Sequence, residues 1–186
     1  FTEFFPSPQD RGPIAVGDET VEPKASDPLC ARVFKSVHDP FVGQLSYLRI
    51  WAGTLKPETE VYNAASDAKE RIGRIYLIKG KEQIDVAAAV PGCIVALAKL
   101  KETGIGDTLC AAGKNYLFPE IAFPSPTSLM AVYSQSRGDE DKIAGGFHKL
   151  IEEDPTLSAD RDPLTSEYII SGLGEVQIQT AVKRLK

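Results

Sequence analysis

The apolar positions of this chain change their rhythm along its length. Between Leu29 and Cys110 they come in short runs rich in β-branched and aromatic residues: "LCARVFKSV", "GQLSYLRIWAG", "TEVYN", "RIGRIYLI" and "GCIVALAKL". Asp39-Pro40, Gly53, Pro57, Gly80, Pro91-Gly92, Gly104 and Gly106 punctuate them. Short strands broken by turn residues at this spacing predict a barrel or sandwich. "LSYLRIW" carries bulky apolar groups on both faces, as a strand partly buried on both sides does.

After the proline-rich joint "FPEIAFPSP" the pattern becomes mixed. "TSLMAVYS" reads as a strand. Ile143, Phe147, Leu150 and Ile151 fall at i, i+4, i+7 and i+8, which predicts a helix from Asp139 to Glu153. Asp139, Glu140 and Asp141 suit its first turn, and Pro155 stops it. Gly145 and Gly146 inside it cost about 1 kcal/mol each against alanine; a close neighbour on that face would explain them. "TLSAD", a turn at Asp162-Pro163 and the strand "SEYIIS" follow. The tail from Leu173 to Lys186 is ambiguous. "EVQIQ" alternates like a strand, while Leu173, Val176, Thr180 and Leu185 approximate a helical stripe. Lys183, Arg184 and Lys186 suit a helix C-terminus, and a helix is predicted. The second unit is then β-α-β-β-α, a ferredoxin-like fold without its final strand.

The first 28 residues contain Pro6, Pro8, Pro13, Pro23 and Pro28 and predict an extended linker. Phe1, Phe4 and Phe5 have the spacing of the end of an amphipathic helix. The domains expected are therefore a linker over 1–28, an all-β barrel over 29–115 and a ferredoxin-like domain over 116–186.

Composition narrows the function classes. The chain has 186 residues, 42 % of them hydrophobic, enough for one or two ordinary cores. A net charge of −5 and a pI near 5.1 argue against a dedicated nucleic-acid binder but leave room for a local basic patch. Three widely spaced cysteines, Cys30, Cys93 and Cys110, form no CxxC, so neither zinc nor a redox pair is indicated, and the expected setting is cytoplasmic. His38 and His148 are too few for a histidine metal cage. No apolar run approaches the roughly 20 residues needed to span a bilayer, so no membrane is expected.

Candidate chemistry is sparse. "ISGLGEVQ" has the strand, glycine turn and helix order that holds phosphate in many proteins. It lacks the third glycine of a dinucleotide fingerprint, and Glu175 would compete with a phosphate. A tight strand-to-helix turn through Gly172 and Gly174 is the simpler reading. GxxxxGK[ST] and GxSxG are both absent. Glu152, Glu153 and Asp154 sit at a predicted helix C-terminus, where the macrodipole disfavours them unless a basic partner lies nearby. The most basic stretch, "KERIGRIYLIKGK", holds Lys69, Arg71, Arg74, Lys79 and Lys81 against Glu70. Arg71 and Arg74 have opposite strand parity, which a bulge at Gly73 would reconcile. The run is either a phosphate-backbone contact or a solvated edge strand guarded by charge.

"HDPFVGQLSYLRIWAGTL", "RIGRIYLI", "LKETGIGDTL", "EEDPTL" and "ISGLGEVQ", in that order and spacing, resemble elongation factor G, the translocation GTPase of the ribosome. The resemblance runs from "FFPSP" to the C-terminus. It implies that Phe1 to about Pro8 is the tail of the GTPase domain, followed by the β-barrel domain II and most of the ferredoxin-like domain III. It implies no catalytic residue, cofactor or metal in this segment, with GTP and magnesium held elsewhere in the parent. The implied partners are the ribosome, through small-subunit rRNA and proteins, and the GTPase domain of the same protein. Lys69, Arg71, Arg74, Lys79 and Lys81 become candidates for rRNA contact. Asp39, Pro40, Phe41 and Gly43, with Gly172, Gly174, Glu175 and Gln177, become candidates for the interdomain side. Standard members read "GELHLE" where this chain has Gln177 and Gln179 in "GEVQIQ", in a segment that belongs to the family's fusidic acid pocket. That departure, with "AKLKETGIGDTL", looks more like the elongation-factor-G-like paralogues. The alternative of another class is a free-standing protein-interaction module.

Overall fold

The computed structural model describes residues 3–133, 140–165 and 167–185. Phe1, Asp139 and Lys186, named above, lie outside the described residues. The chain divides into two compact units, Phe1–Ile121 and Ala122–Lys186.

The first unit begins with a short helix α1 (Pro8–Arg11) and a hairpin of β1 (Ile14–Val16) and β2 (Glu19–Val21). Then come β3 (Cys30–Asp39), β4 (Gly43–Ala52), β5 (Glu60–Asn63), β6 (Ala68–Arg71), β7 (Ile75–Lys79), β8 (Glu82–Asp85), β9 (Ile94–Ala98) and β10 (Thr108–Cys110). These eight form one antiparallel sheet in the order β6-β5-β10-β3-β4-β9-β7-β8. Val33, Leu48, Ile50, Val61, Ile72, Ile75, Val95, Leu97 and Leu109 share one buried cluster. β5 and β7, each next to one end of the sheet order, thus line the same core, and burying each large aliphatic side chain contributes about 1.5–3 kcal/mol. The expected all-β barrel is met as a rolled, barrel-like sheet. Its ladder is open, with no pairing from β6 to β8 among the described residues.

On β4, Leu48 and Ile50 face that core while Tyr47, Arg49 and Trp51 are half-buried on the other face, as the doubly apolar pattern predicts. Gly53 closes the strand at φ +73°, and a Cβ there would lie 2.6 Å from the backbone of Leu29. Only glycine satisfies both constraints.

Three sequence expectations need correction in this unit. Residues 14–21 are not an extended linker. Val16 and Val21 are buried with Cys30, Ala52, Cys110 and Tyr116 in a second small core, so the hairpin covers the outer side of β3 and β10. Phe4 and Phe5 lie in a turn and a bend, both exposed, and not on a helix. "RIGRIYLI" is not one strand. β6 stops at Arg71 and β7 starts at Ile75; just past β6, Ile72 is fully buried and its N–H donates to the Thr59 carbonyl.

The second unit contains β11 (Ser128–Val132), α2 (Glu140–Glu153), β12 (Ser158–Arg161), β13 (Tyr168–Gly172) and α3 (Glu175–Arg184). The sheet order is β11-β13-β12, antiparallel throughout. This is the β-α-β-β-α order of a ferredoxin-like domain. Phe147 and Leu150 from α2 and Ile178 and Ala181 from α3 bury against Leu157 and Ile170. The tail is a helix, but its buried face differs from the one expected. Ile178 and Ala181 are buried with Val182 and Leu185 packed beside them, whereas Val176 is 77 % exposed. The crowding expected around the helical glycines is present at one of them. A Cβ on Gly146 would lie 2.4 Å from Leu185 Cδ2, while Gly145 has open space.

Candidate functional site

The glycine turn between β13 and α3 is held by one side chain. Gln177 Oε1 accepts from the Leu173 backbone N–H at 2.7 Å. Its amide nitrogen donates to Asp154 Oδ2 at 2.8 Å and to Thr156 Oγ1 at 2.7 Å. The "EEDPTL" and "ISGLGEVQ" segments, distant in sequence, are thereby tied together. Asp154 Oδ1 accepts from the backbone and hydroxyl of Thr156, at 3.0 and 2.6 Å. Burial raises the Asp154 pKa, but the hydrogen bonds from Thr156 and Gln177 outweigh it and hold the carboxyl below its ordinary value. Gly172 leaves room for this junction, since a Cβ would stand 2.8 Å from Gln177 Oε1 and displace it. Gly174 is extended at φ −175° with open space around it, and Glu175 follows in the first turn of α3, the favourable end for a carboxylate.

The acidic run at the end of α2 has the basic partner that its position called for. Glu153 pairs with Arg184 from the last turn of α3. Glu152 lies 3.2 Å from His148 Nδ1, one turn earlier. Gln179 donates to Glu175 at 2.8 Å on the exposed face of α3.

Asp39, Pro40, Phe41 and Gly43 form the turn between β3 and β4. Asp39 Oδ1 accepts from the N–H groups of Phe41 and Val42, at 2.8 and 3.0 Å, and Oδ2 from Gln83 at 3.1 Å. The backbone hydrogen bonds from Val42 and Phe41 hold its carboxyl below the ordinary range. Gly43 sits at φ +88°. This hydrogen-bonded turn leaves Phe41 95 % exposed, an apolar tip.

The basic run is dispersed over several elements. Lys69 on β6 pairs with Glu60 at 2.9 Å, and Arg71 with Glu58 at 2.7 Å. Arg74 precedes β7 and reaches Asp85 at 3.7 Å. No bulge at Gly73 aligns the two arginines; Arg71 ends β6 and Arg74 lies in the break before β7. Lys79 ends β7 and Lys81 lies in the turn to β8. Glu70 faces inward, away from these cations.

Residues 28–112 match the model of Elongation factor G domain 2, and residues 123–186 match that of Elongation Factor G, domain III. The chain belongs to the elongation factor G family. It carries that family's domains II and III in succession. A crystal structure from Thermus thermophilus is similar over 98 % of this chain, with 32 % identity and a TM-score of 0.77. The chain spans 26 % of the length of that one.

Domain II also holds two arrangements that sequence reasoning missed. Glu70, 4 % exposed, accepts through Oε1 from the N–H groups of Lys101 and Glu102, at 2.9 and 2.7 Å, and from Thr103 Oγ1 at 3.0 Å. Asn63 Nδ2 meets the Glu102 carbonyl, Thr103 Oγ1 and Asp107 Oδ2 beside it. The "LKETGIGDTL" motif is therefore a loop clamped by buried polar groups, which nothing in its spacing reveals. On the outer face, Arg49 stacks 4.5 Å over Trp51. They line a pocket with Pro8, Arg11 and Ile14, and the Arg49 Nε and Trp51 Nε1 protons are buried without a hydrogen-bond partner. Among the described residues, no group of three or more His, Cys, Asp or Glu side chains is placed to hold a metal, and no helix is long and apolar enough to cross a membrane.

Proposed function

We propose that this chain is the noncatalytic coupling segment of a ribosome-dependent translation GTPase, acting in the cytoplasm. In this reading, domain II rests on small-subunit rRNA. Domain III relays the nucleotide state of the GTPase domain, which holds GTP and magnesium elsewhere in the parent. The observation that carries the reading is the succession of the two family modules within one chain, over 28–112 and 123–186.

The local geometry supports it. The Gln177 junction and the Asp39–Gly43 turn are each pinned by side-chain hydrogen bonds, which suits the coupling points that this reading asks of them. A phosphoryl-transfer site needs a backbone cradle, a lysine and magnesium ligands together, and the sequence has no GxxxxGK[ST] to supply them.

Two measurements test the reading. Co-sedimentation with ribosomes should recover the intact parent in its GTP form; failure to sediment would favour a free-standing interaction module. Calorimetric titration of this chain with magnesium and GTP should give no heat of binding, and micromolar affinity would overturn the noncatalytic assignment. A translocation assay on the parent then separates translocation from the other roles open to a paralogue carrying Gln177 and Gln179.

A further inference from the structure

Cys30 and Cys110 stand directly opposite each other on the antiparallel neighbours β3 and β10. Two flanking bonds fix the type of pair. The Ala111 N–H donates to the Leu29 carbonyl at 3.0 Å, and the Val33 N–H to the Asp107 carbonyl at 2.9 Å. Counting in twos from Leu29 opposite Ala111, Cys30 and Cys110 form a non-hydrogen-bonded pair. Their side chains share one face of the sheet, and Cα atoms in such a pair typically lie about 4.5 Å apart. That spacing is within the range a disulfide bridges, about 4.4–6.8 Å. Both cysteines are free thiols.

We propose that Cys30 and Cys110 are a latent dithiol that a low-molecular-weight disulfide oxidises to a cross-strand disulfide when the β1–β2 hairpin lifts. The Cys30 thiolate attacks one sulfur of the oxidant and expels its first thiolate. The Cys110 thiolate then attacks the Cys30 sulfur of that mixed disulfide and expels the second. The protein loses two protons and two electrons, and the oxidant leaves as two thiols.

The closed cover keeps the pair inert. Both residues are 0 % exposed, under Val16, Val21 and Tyr116. Burial pushes the Cys30 thiol to about 12, with the neighbouring Cys110 adding to the shift, and burial pushes Cys110 to about 11. Little thiolate exists in the closed state near neutral pH. The Cys110 thiol donates to the Tyr116 carbonyl, a bond that oxidation removes. The cover is a small element. Its two strands have three residues each, and a short two-stranded hairpin is marginal on its own. Cys93 lies outside this cluster and serves as an internal control.

The test treats the reduced chain with oxidised glutathione under native conditions and maps the products by nonreducing peptide mass spectrometry. The expected product is one peptide linking Cys30 to Cys110, lighter by two hydrogens, with Cys93 unlinked and dithiothreitol reversing it. Cys30→Ala or Cys110→Ala should abolish it. Val16→Ala with Val21→Ala should speed its formation several-fold; should that variant not fold, sub-denaturing urea on the native chain provides the same acceleration. Glutathione held on either cysteine without resolution, indiscriminate pairing with Cys93, or a rate indifferent to cover opening would each overturn the proposal.

Discussion

Gln177 shows how much one side chain can carry. Its amide supplies one acceptor and two donors, and all three are used on groups of the adjoining turn and of the α2–β12 connection. Gln177→Leu leaves the Leu173 N–H and the Asp154 and Thr156 oxygens without that partner. It should destabilise the second unit by about 1–3 kcal/mol. A neutral histidine offers one donor and one acceptor, so Gln177→His should recover part of that loss. Urea unfolding followed by circular dichroism reads this. The fluorescence of Trp51, the sole tryptophan, reports on the first unit and should not change. Asp154 adds a pH dependence of defined sign. Its folded-state pKa is lowered, so its stabilising contribution is complete well above the unfolded carboxyl value of about 3.9 and is lost as pH falls through the folded value. Asp154→Asn should flatten the acid limb of the second unit's stability below about pH 4, measured as melting temperature against pH. An unchanged acid limb would mean that the Asp154 carboxylate is not among the groups whose protonation weakens this unit.

At the scale of elements, the adjacent glycines of α2 make a matched pair. Gly145→Ala adds a methyl group into open space and should stabilise the second unit by about 0.5–1 kcal/mol. Gly146→Ala gains the same helix propensity but drives its methyl group into Leu185, so it should gain less or destabilise. Equal gains at both sites in thermal unfolding would mean that α3 does not pack as described. The same helices show what could be read from the sequence. Ile143, Phe147, Leu150 and Ile151 define the inner face of α2 because they recur at helical spacing. In α3 both alternation and helical spacing were present, and the inner face proved to be Ile178, Ala181, Val182 and Leu185. A short amphipathic segment with one alanine in its buried stripe gives the pattern little contrast. The β3–β4 hairpin was legible from its length and its Asp-Pro turn. The β1–β2 hairpin was hidden among prolines, and its burial depends on a surface that only the folded sheet creates. Glu70 was misplaced for a related reason: charge in a basic run reads as solvated, and only the folded loop supplies the donors that make its burial tolerable.

At the scale of the molecule, an acidic chain proposed to rest on rRNA must concentrate its cations where phosphates can reach them. Lys69, Arg71 and Arg74 are each balanced by an acid, but every one of these pairs is exposed, and exposed pairs are worth about 0–1 kcal/mol. A phosphate can therefore displace Glu58 from Arg71 or Asp85 from Arg74 at little cost. Each phosphate contact made by lysine or arginine adds roughly 0.7–0.9 to the slope of log affinity against log salt. Arg71→Glu with Arg74→Glu in the intact parent should weaken ribosome binding and flatten that slope. It should leave GTP affinity unchanged and lower the first unit's melting temperature only slightly. If the two arginines serve structure alone, the result reverses: the slope stays and the melting temperature falls. Salt-dependent co-sedimentation and Trp51-monitored melting of the same variant decide between them. Lys79→Glu with Lys81→Glu is the companion experiment. Neither lysine has an ion-pair partner among the described residues, so their loss can alter the slope without breaking any intramolecular pair.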